Sequence, residues 1–527
     1  MEDLLEIIKQ SLLKFLMDKR WFDRKTESQF RVEIEDYYSE NHGNGMIVLA
    51  ILKIYFNGNQ SKLYYLPVYL ENIRDAVPLC IEGEYIAEIY DKKYLLKEID
   101  YTKEYDIVSL LLFAKRTLNM KKRGRILFRS QTIPDRAVQI TDTKPIQKNV
   151  STNCVNYQKI QGFEVVHKIY KQLRQDNQEI AIFNKIQNRD FNVPKIFGYY
   201  IYEDSSGIQY PLGIIVEYCY GNTIDVFLNQ NIRSLWEKAS LFMSRDKEKI
   251  RSIITEHLAS IKPIITRFGQ EILVFHKNMN QMLQTEDSNK EFHYQGYLGD
   301  LRNKAISLLE QVNKEENIST IIQKKISEAL LKIANIQEPN NHDYRCSFPH
   351  GDLHMSNIIC NKEQSYQLKI VDFGTKKLRL EQNVNQNVFE DIGWIVRSLE
   401  YFVYDEVNRE LSLKFHLSEE AISQYRFDWN ILEQKQDSPF FDMVQLIEWI
   451  GDTWKAAVTQ MIMQGYFESK EAYQYILTHP DNFCQKKLDK LWEKIYLTVL
   501  MSQLEYNYNY KRDYYKQFDF YYLWKFL

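Results

Sequence analysis

Two short segments of the chain carry side chains that suit one reaction. The first is HGDLHMSN at 350–357, and the second is IVDFG at 370–374. Transfer of a phosphoryl group needs a carboxylate beside the attacking hydroxyl, and Asp352 is the candidate for it. The reaction also needs oxygen ligands that hold Mg²⁺ against the phosphates, which Asn357 and Asp372 can supply. The spacing therefore predicts a phosphoryl-transfer site with a catalytic loop at 350–357 and a DFG segment at 372–374.

The elements before this site are predicted to be mainly strands. Between 28 and 100 the text is rich in β-branched and aromatic residues, as in GMIVLAILKIYF and SKLYYLPVYL, and turn signals separate the runs. A helix is predicted ahead of them at 2–17, where apolar residues recur at helical spacing. Between 125 and 220, short strand-like runs surround one amphipathic helix.

The elements from 232 onwards are predicted to be helices. Apolar residues recur there three and four positions apart, and the turn- and strand-rich segment 346–374 is the main interruption. The layout is therefore a leading cap, a small β-rich lobe and a large helical lobe. No internal repeat is visible.

Composition excludes several classes of protein. The 527 residues carry a net charge of −3, which argues against bulk binding of nucleic acid. The six cysteines are scattered without CxxC spacing, so a disulfide framework or a structural zinc site is not expected. The sequence contains no run of about 18 apolar residues, so no membrane span is expected. The N-terminal stretch lacks a secretory cleavage site. We expect a cytoplasmic protein, monomeric by default, with no nucleic-acid or membrane partner.

The two motifs resemble the aminoglycoside phosphotransferase and choline kinase branch of the protein-kinase-like superfamily, in which HGD stands in place of HRD. Three further segments are most similar to those of maltokinases and aminosugar (glucosamine) kinases with an N-terminal cap: RWF at 20–22, STNC at 151–154 and EDIGWIVRSL at 390–399. The resemblance implies an α+β chain with a bilobal protein-kinase-like fold and an N-terminal α/β cap domain. It places the cap at 1–112, the β-rich N-lobe at 113–220 and the helical C-lobe at 221–527.

The resemblance also implies roles for individual residues. Asp352 becomes the catalytic carboxylate, Asn357 and Asp372 the Mg²⁺ ligands, and Lys168 the lysine that meets the α and β phosphates of ATP, with Glu179 as its ion-pair partner. The other residues expected near the nucleotide are Ser151 and Asn153 in a phosphate loop and Glu217 and Cys219 at the hinge. Those expected near the acceptor are His354, Asp391, Arg397 and Glu505. For Arg397 a structural ion pair, and for His354 a turn-stabilising contact, are open alternatives.

The expected function is that of a small-molecule kinase. ATP and Mg²⁺ are the implied cofactors, and the implied acceptor is a hydroxyl of a small sugar or aminosugar. Maltokinases typically carry Gln where Asn357 stands and DFE where this chain has DFG, so the acceptor is not fixed by the resemblance. One alternative is an antibiotic or natural-product phosphotransferase of the aminoglycoside type. A second is a non-catalytic nucleotide-binding protein on a kinase-like scaffold.

Overall fold

The computed structural model of the chain describes most, but not all, of its residues. The described parts are Leu12, Leu16, Lys19 and Phe22, with 30–56, 60–72, 85–89, 94–99, 105–130, 139–145, 154–160, 162–175, 177, 179–186, 192–238, 246–283, 292–315, 319–338, 343–361, 367–373, 385–432, 439–482, 484–510 and 512–526. The chain forms two compact units. The β-rich unit comprises Met1–Asn188 and Pro194–Cys219, and the helical unit comprises Arg189–Val193 and Tyr220–Leu527.

The described strands of the β-rich unit are β1 Phe30–His42, β2 Gly45–Phe56, β3 Ser61–Asn72, β4 Tyr85–Ile89, β5 Tyr94–Glu98, β6 Thr117–Asn119, β7 Arg125–Ser130, β8 Ile140–Pro145, β9 Cys154–Ile160, β10 Phe163–Ile169, β11 Gln172–Leu173, β12 Ile196–Glu203 and β13 Gln209–Glu217. Its described helices are α1 Tyr105–Lys115 and α2 Glu179–Ile186. In the described part of the chain, one sheet has the order β1-β2-β3-β5-β4 with β11 paired to β3, and the other has the order β6-β7-β12-β13-β10-β9-β8.

The apolar run of β2 explains how the first sheet is buried on both faces. Successive side chains of a strand point to opposite faces. Ile47, Leu49 and Ile51 lie in a core cluster with residues of the second sheet. Val48 and Leu52 lie in another cluster on the opposite face, which also contains Leu12, Leu16 and Phe22 from the start of the chain. A strand that is buried on both faces needs apolar side chains at successive positions, which explains the uninterrupted apolar run of β2.

The described helices of the helical unit are α3 Ile224–Trp236, α4 Lys247–Ala259, α5 Lys262–Leu283, α6 Tyr294–Asn313, α7 Thr320–Ala334, α8 Phe389–Phe415, α9 Glu419–Leu432, α10 Pro439–Tyr466, α11 Glu471–Ile476, α12 Gln485–Asn509 and α13 Asp513–Phe526. A small antiparallel sheet has the order β14 Asn222–Thr223, β15 Ile358–Asn361 and β16 Gln367–Ile370. Short 3₁₀ turns occur at Met355–Asn357 and Pro480–Asn482. None of the described helices is long and apolar enough to cross a membrane.

The predicted α+β class is confirmed, with a β-rich part preceding a helical part. The boundary between cap and N-lobe at 112 stays a prediction. Of the RWF triplet, Phe22 is buried against Phe30, Phe56 and Tyr64, whereas residues 20 and 21 lie outside the described part of the chain.

Two glycines allow the backbones of α5 and α10 to approach closely. A Cβ atom on Gly465 would lie 1.9 Å from the carbonyl oxygen of Thr266, and one on Gly269 would lie 2.1 Å from the carbonyl oxygen of Ile462. Both obstacles are main-chain atoms, which cannot move aside as a side chain can. The absence of a side chain at these two positions therefore sets the distance between the helices.

We predict that Gly465→Ala destabilises the helical unit by about 1–3 kcal/mol, because the two helices must separate to accept a methyl group. Gly299→Ala is the matched control, since it lies in α6 and a Cβ atom there would meet nothing within 4 Å. Replacing that glycine should stabilise its helix by up to ~1 kcal/mol. Urea unfolding followed by circular dichroism measures both changes. Equal midpoints for the two variants would contradict the prediction.

Candidate active site

The loop at 350–357 is joined to the strand that precedes Asp372. Asn357 Nδ2 donates to the main-chain oxygen of Asp352 at 3.0 Å, which closes the loop on itself. The amide of Val371 donates to the main-chain oxygen of Asn357 at 2.9 Å, and Ile358 pairs with Ile370 across the β15–β16 hairpin. The hairpin thus places Asp352, Asn357 and Asp372 in one connected segment.

The backbone turns sharply on both sides of this segment. Asp372 has a φ of 67° and Gly351 a φ of 87°, both in the left-handed region. Glycine enters this region without steric cost, and aspartate enters it more readily than most residues. Asp372 is exposed and Asp352 is half-buried, so both carboxylates remain accessible. Gly374 of the DFG segment lies outside the described residues.

Asp391, at the start of α8, holds the main chain of the loop. Its carboxylate accepts the amide of His350 at 2.5 Å and the amide of Gly351 at 2.9 Å. His276 Nε2 on α5 donates to the same carboxylate at 2.9 Å. The side chain of Asp391 is fully buried and its two oxygens are occupied by these contacts. The predicted contact between Asp391 and an acceptor is therefore not supported by this placement.

A buried tyrosine extends this arrangement behind Asp391. Burial, with a smaller effect from Asp391, raises the pKa of Tyr466 well above its ordinary value, so its hydroxyl stays protonated. The hydroxyl lies 2.9 Å from Nδ1 of His276 and donates to it when the imidazole is neutral. Sequence reasoning missed His276 and Tyr466, because they lie on α5 and α10, far from the loop in sequence, and belong to no local motif.

His350 ties the loop to the segment before Asp372. Burial lowers the pKa of His350, although the carboxylates of Asp391, Asp352 and Asp372 act in the opposite direction. The neutral ring donates from Nε2 to the main-chain oxygen of Val371 at 3.1 Å. Phe373 packs on this ring with a centroid distance of 5.0 Å. The first residue of the HGD motif is thus a structural member of the site.

In the β-rich unit, Lys168 and Glu179 form a buried ion pair. Lys168 Nζ donates to Glu179 Oε2 at 2.8 Å and to Oε1 at 3.1 Å. Lys168 is in β10 and Glu179 is the first residue of α2, where Asn177 Oδ1 accepts the Glu179 amide at 3.1 Å. The structure therefore brings together the two residues for which an ion pair was predicted.

The other residues expected near the nucleotide are only partly described. Glu217 ends β13, and its carboxylate accepts the amide of Lys195 at 3.1 Å. Cys219 is half-buried, and its thiol donates to the main-chain oxygen of Glu217 at 3.8 Å. Ser151 and Asn153 lie outside the described part of the chain. The placement of Glu217 and Cys219 leaves their role at the hinge a prediction.

The remaining acceptor candidates occupy different surroundings. Arg397 is fully buried in α8 and forms ion pairs with Glu400 and with Asp519, at 2.6 Å for the latter. These contacts correspond to the structural alternative, and a role for Arg397 in acceptor binding is not supported. His354 is half-buried in the loop, and Glu505 is half-buried in α12. Their contact with an acceptor stays a prediction.

In the helical unit, one segment carries the carboxylate of Asp352, the amide oxygen of Asn357 and the carboxylate of Asp372. The β-rich unit presents an ammonium group held by a buried carboxylate. Hard oxygen ligands suit Mg²⁺, and a fixed ammonium suits phosphate oxygens. Both are parts that phosphoryl transfer requires.

Comparison with known proteins finds similar structures but no similar sequences. No family model matches the chain, and no curated protein sequence matches it. A glucosamine kinase structure is similar with a TM-score of 0.47 at 11% identity, over 94% of this chain and 92% of that one. A glucosamine kinase in complex with glucosamine, ADP and inorganic phosphate has a TM-score of 0.44 at 10% identity, over 94% and 93%.

An aminoglycoside phosphotransferase in a ternary complex with ADP and hygromycin B is similar with a TM-score of 0.29 at 8% identity, over 61% of this chain and 94% of that one. The solved structures thus include aminosugar kinases and aminoglycoside phosphotransferases, the groups that the motifs resemble.

Proposed function

We propose that the chain is an ATP- and Mg²⁺-dependent phosphotransferase that moves the γ-phosphate of ATP to a hydroxyl of a small sugar or aminosugar. The observation that carries this proposal is the closed loop at 350–357, in which hydrogen bonds join Asp352, Asn357 and the strand leading to Asp372. An accessible carboxylate, an amide oxygen and a second carboxylate in one rigid segment are the groups that this reaction needs.

Asp352 is proposed to orient the acceptor hydroxyl and to take its proton. The acceptor oxygen forms a bond to the γ-phosphorus, the bond from that phosphorus to the bridging oxygen of ADP breaks, and the hydroxyl proton passes to the Asp352 carboxylate. The loop stays fixed during this step because Asp391 holds the amides of His350 and Gly351. A base that is held in position needs little reorganisation at the moment of reaction.

Asn357 and Asp372 are the residues that would hold Mg²⁺. The Nδ2 atom of Asn357 is used by the main-chain oxygen of Asp352, which leaves Oδ1 as its ligand atom. The carboxylate of Asp372 is exposed, and the two together form the oxygen donor set that Mg²⁺ prefers. When bound, the ion neutralises negative charge on the phosphates.

Lys168 is proposed to contact the α and β phosphates, with Glu179 as the residue that orients it. Ser151 and Asn153 are proposed as a phosphate loop, and the main chain around Glu217 and Cys219 as the adenine contact. The buried ion pair of Lys168 and Glu179 supports the first part, because burial limits the positions that the ammonium can take.

The helical unit also contains a cavity that suits a positively charged acceptor. It has a volume of about 460 Å³. Two of its lining residues, one on α8 and one on α3, each lie one helical turn after a residue that contacts the loop. Phe402 follows Ser398, which accepts the amide of Met355, and Asn229 follows Asp225, which accepts the hydroxyl of Ser356. An acceptor in this cavity would lie beside the loop.

The charge of the cavity favours amino groups over neutral sugars. Four carboxylates and two guanidinium groups line it. Glu406 forms ion pairs with both Arg233 and Arg409, and the carboxylates exceed the guanidinium groups by two negative charges when all of them are ionised. Asp405, Glu419 and Glu420 therefore give the cavity a negative character, which favours an aminosugar and keeps the aminoglycoside-type acceptor as the second candidate.

We predict that Asp352→Asn lowers turnover by about 10²–10⁴-fold while binding of ADP persists, because the amide cannot take the hydroxyl proton. Turnover is measured by coupled ADP release with a panel of sugars, aminosugars and aminoglycosides. Asp300→Asn, at an exposed position of α6, is the control and should act like the wild type. If Asp352→Asn keeps most of the turnover, the catalytic assignment is wrong. If the wild type binds ATP but transfers nothing to any acceptor, the non-catalytic alternative is correct.

We predict that Asp405→Asn raises KM for amino-bearing acceptors by about tenfold, because a hydrogen bond to a charged group is lost. The KM of the same variant for a neutral sugar should stay unchanged, and this measurement is the control. Burial raises the pKa of Asp405 to about 6, so the carboxyl becomes neutral as the pH falls below that value. KM of the wild type for amino acceptors should accordingly rise between pH 7 and pH 5 in the manner of the variant. Equal effects on both kinds of acceptor would exclude the cavity as the amine site.

A further inference from the structure

Glu179 receives a hydrogen bond from a tyrosine in addition to its ion pair with Lys168. The hydroxyl of Tyr170 donates to Glu179 Oε2 at 2.5 Å, the same oxygen that Lys168 Nζ contacts at 2.8 Å. The exposed fractions are 2% for Glu179, 3% for Tyr170 and 9% for Lys168. The carboxylate is thus held by two different donors in a site with almost no access to water.

The two donors arrive from the same side of one strand. Lys168 lies in β10 and Tyr170 directly follows this strand, where its amide continues the pairing with β13 through the main-chain oxygen of Leu212; residues two apart in an extended segment share a face. Lys168 Nζ lies 5.5 Å from the centre of the Tyr170 ring. The hydroxyl and the ammonium therefore approach Glu179 side by side.

The main chain around Tyr170 is fixed from two directions. The amide of Tyr170 donates to the main-chain oxygen of Leu212 at 2.8 Å, and the amide of Tyr65 donates to the main-chain oxygen of Lys171 at 2.8 Å. Lys171 is fully buried and forms an ion pair with Glu98 at 3.2 Å. Tyr170 consequently has little freedom to withdraw its hydroxyl.

Two donors matter because the lysine has a second task. A buried carboxylate that loses its one cation is left with an uncompensated charge, which is strongly unfavourable. If Lys168 alone held Glu179, moving its ammonium toward a phosphate would leave the carboxylate in that state. A charged-group hydrogen bond from a neutral hydroxyl is among the stronger ones, so Tyr170 can hold the carboxylate while the ammonium is shared.

We infer that Tyr170 is a positioning residue that acts through Glu179 and lets Lys168 share its ammonium with the phosphates of a nucleotide. This inference rests on the proposed function, in which Lys168 contacts the α and β phosphates. Tyr170 touches neither the nucleotide nor the acceptor in this scheme. Its effect falls on the affinity for nucleotide and not on the chemical step.

The test is a double-mutant cycle on nucleotide binding. Tyr170→Phe, Glu179→Gln and the double variant are titrated with ADP and Mg²⁺ by calorimetry, and KM for ATP and kcat are measured for each. Tyr170→Phe should raise Kd for ADP and KM for ATP by about tenfold, with kcat within about twofold. In the Glu179→Gln background the same change should alter Kd by less than about twofold, because a neutral amide needs no second donor.

Tyr202→Phe is the matched control in the same unit. Tyr202 is buried, and its hydroxyl lies 3.4 Å from the buried carboxylate of Asp36, outside the lysine site. Its removal should leave Kd for ADP unchanged, whatever it does to thermal stability. Comparing the two variants distinguishes the effect of losing any buried hydroxyl from the effect of losing the Tyr170 hydroxyl.

Three results would overturn the inference. If the wild type binds ADP and Tyr170→Phe binds it equally well, Tyr170 is not a positioning residue and the proposed function is untouched. If Tyr170→Phe weakens binding equally in both backgrounds, its role does not pass through Glu179. If the wild type binds neither ADP nor ATP in the presence of Mg²⁺, the proposed function fails and the inference fails with it.

Discussion

One buried carboxylate fixes the geometry on which the helical unit depends. Asp391 takes two consecutive loop amides and a histidine at once. Because Asp391 lies in the first turn of α8, the position of that helix and the position of the loop cannot vary independently. The same helix forms a wall of the cavity through Phe402 and Asp405, so the loop and the cavity share one rigid support.

In the β-rich unit, a strand instead of a helix holds the candidate site residue Lys168 in position. β10 lies inside a sheet between β9 and β13, and the chain continues from it into β11, which pairs with β3 of the other sheet. Lys168 is therefore carried by a segment that both sheets restrain. Under the proposed function Lys168 contacts a nucleotide, and such a support reduces the conformational entropy that is lost on binding.

Much of the site could be predicted from sequence because its parts are local. Asp352, Asn357 and Asp372 flank one hairpin, and Lys168 and Glu179 are eleven residues apart in a strand and the helix that comes after it. What escaped prediction depends on contacts between distant segments. His276 meets Asp391 across 115 residues, and neither its type nor its neighbours reveals this. Helical periodicity also could not show that Asp391 and Arg397 are both fully buried, since polar residues are expected on exposed faces.

The pairing of Arg397 with Asp519 makes the core around α8 depend on a distant part of the chain. The two residues are 122 positions apart, and the arginine has no exposed surface in the finished structure. Without α13, Glu400 of the same helix would be the one of these two carboxylates left to pair with Arg397. Removing one partner of a buried ion pair costs about 3–5 kcal/mol, so loss of α13 would weaken the core around α8. The tyrosine-rich helix α13 thereby links the stability of the core around α8 to a separate element.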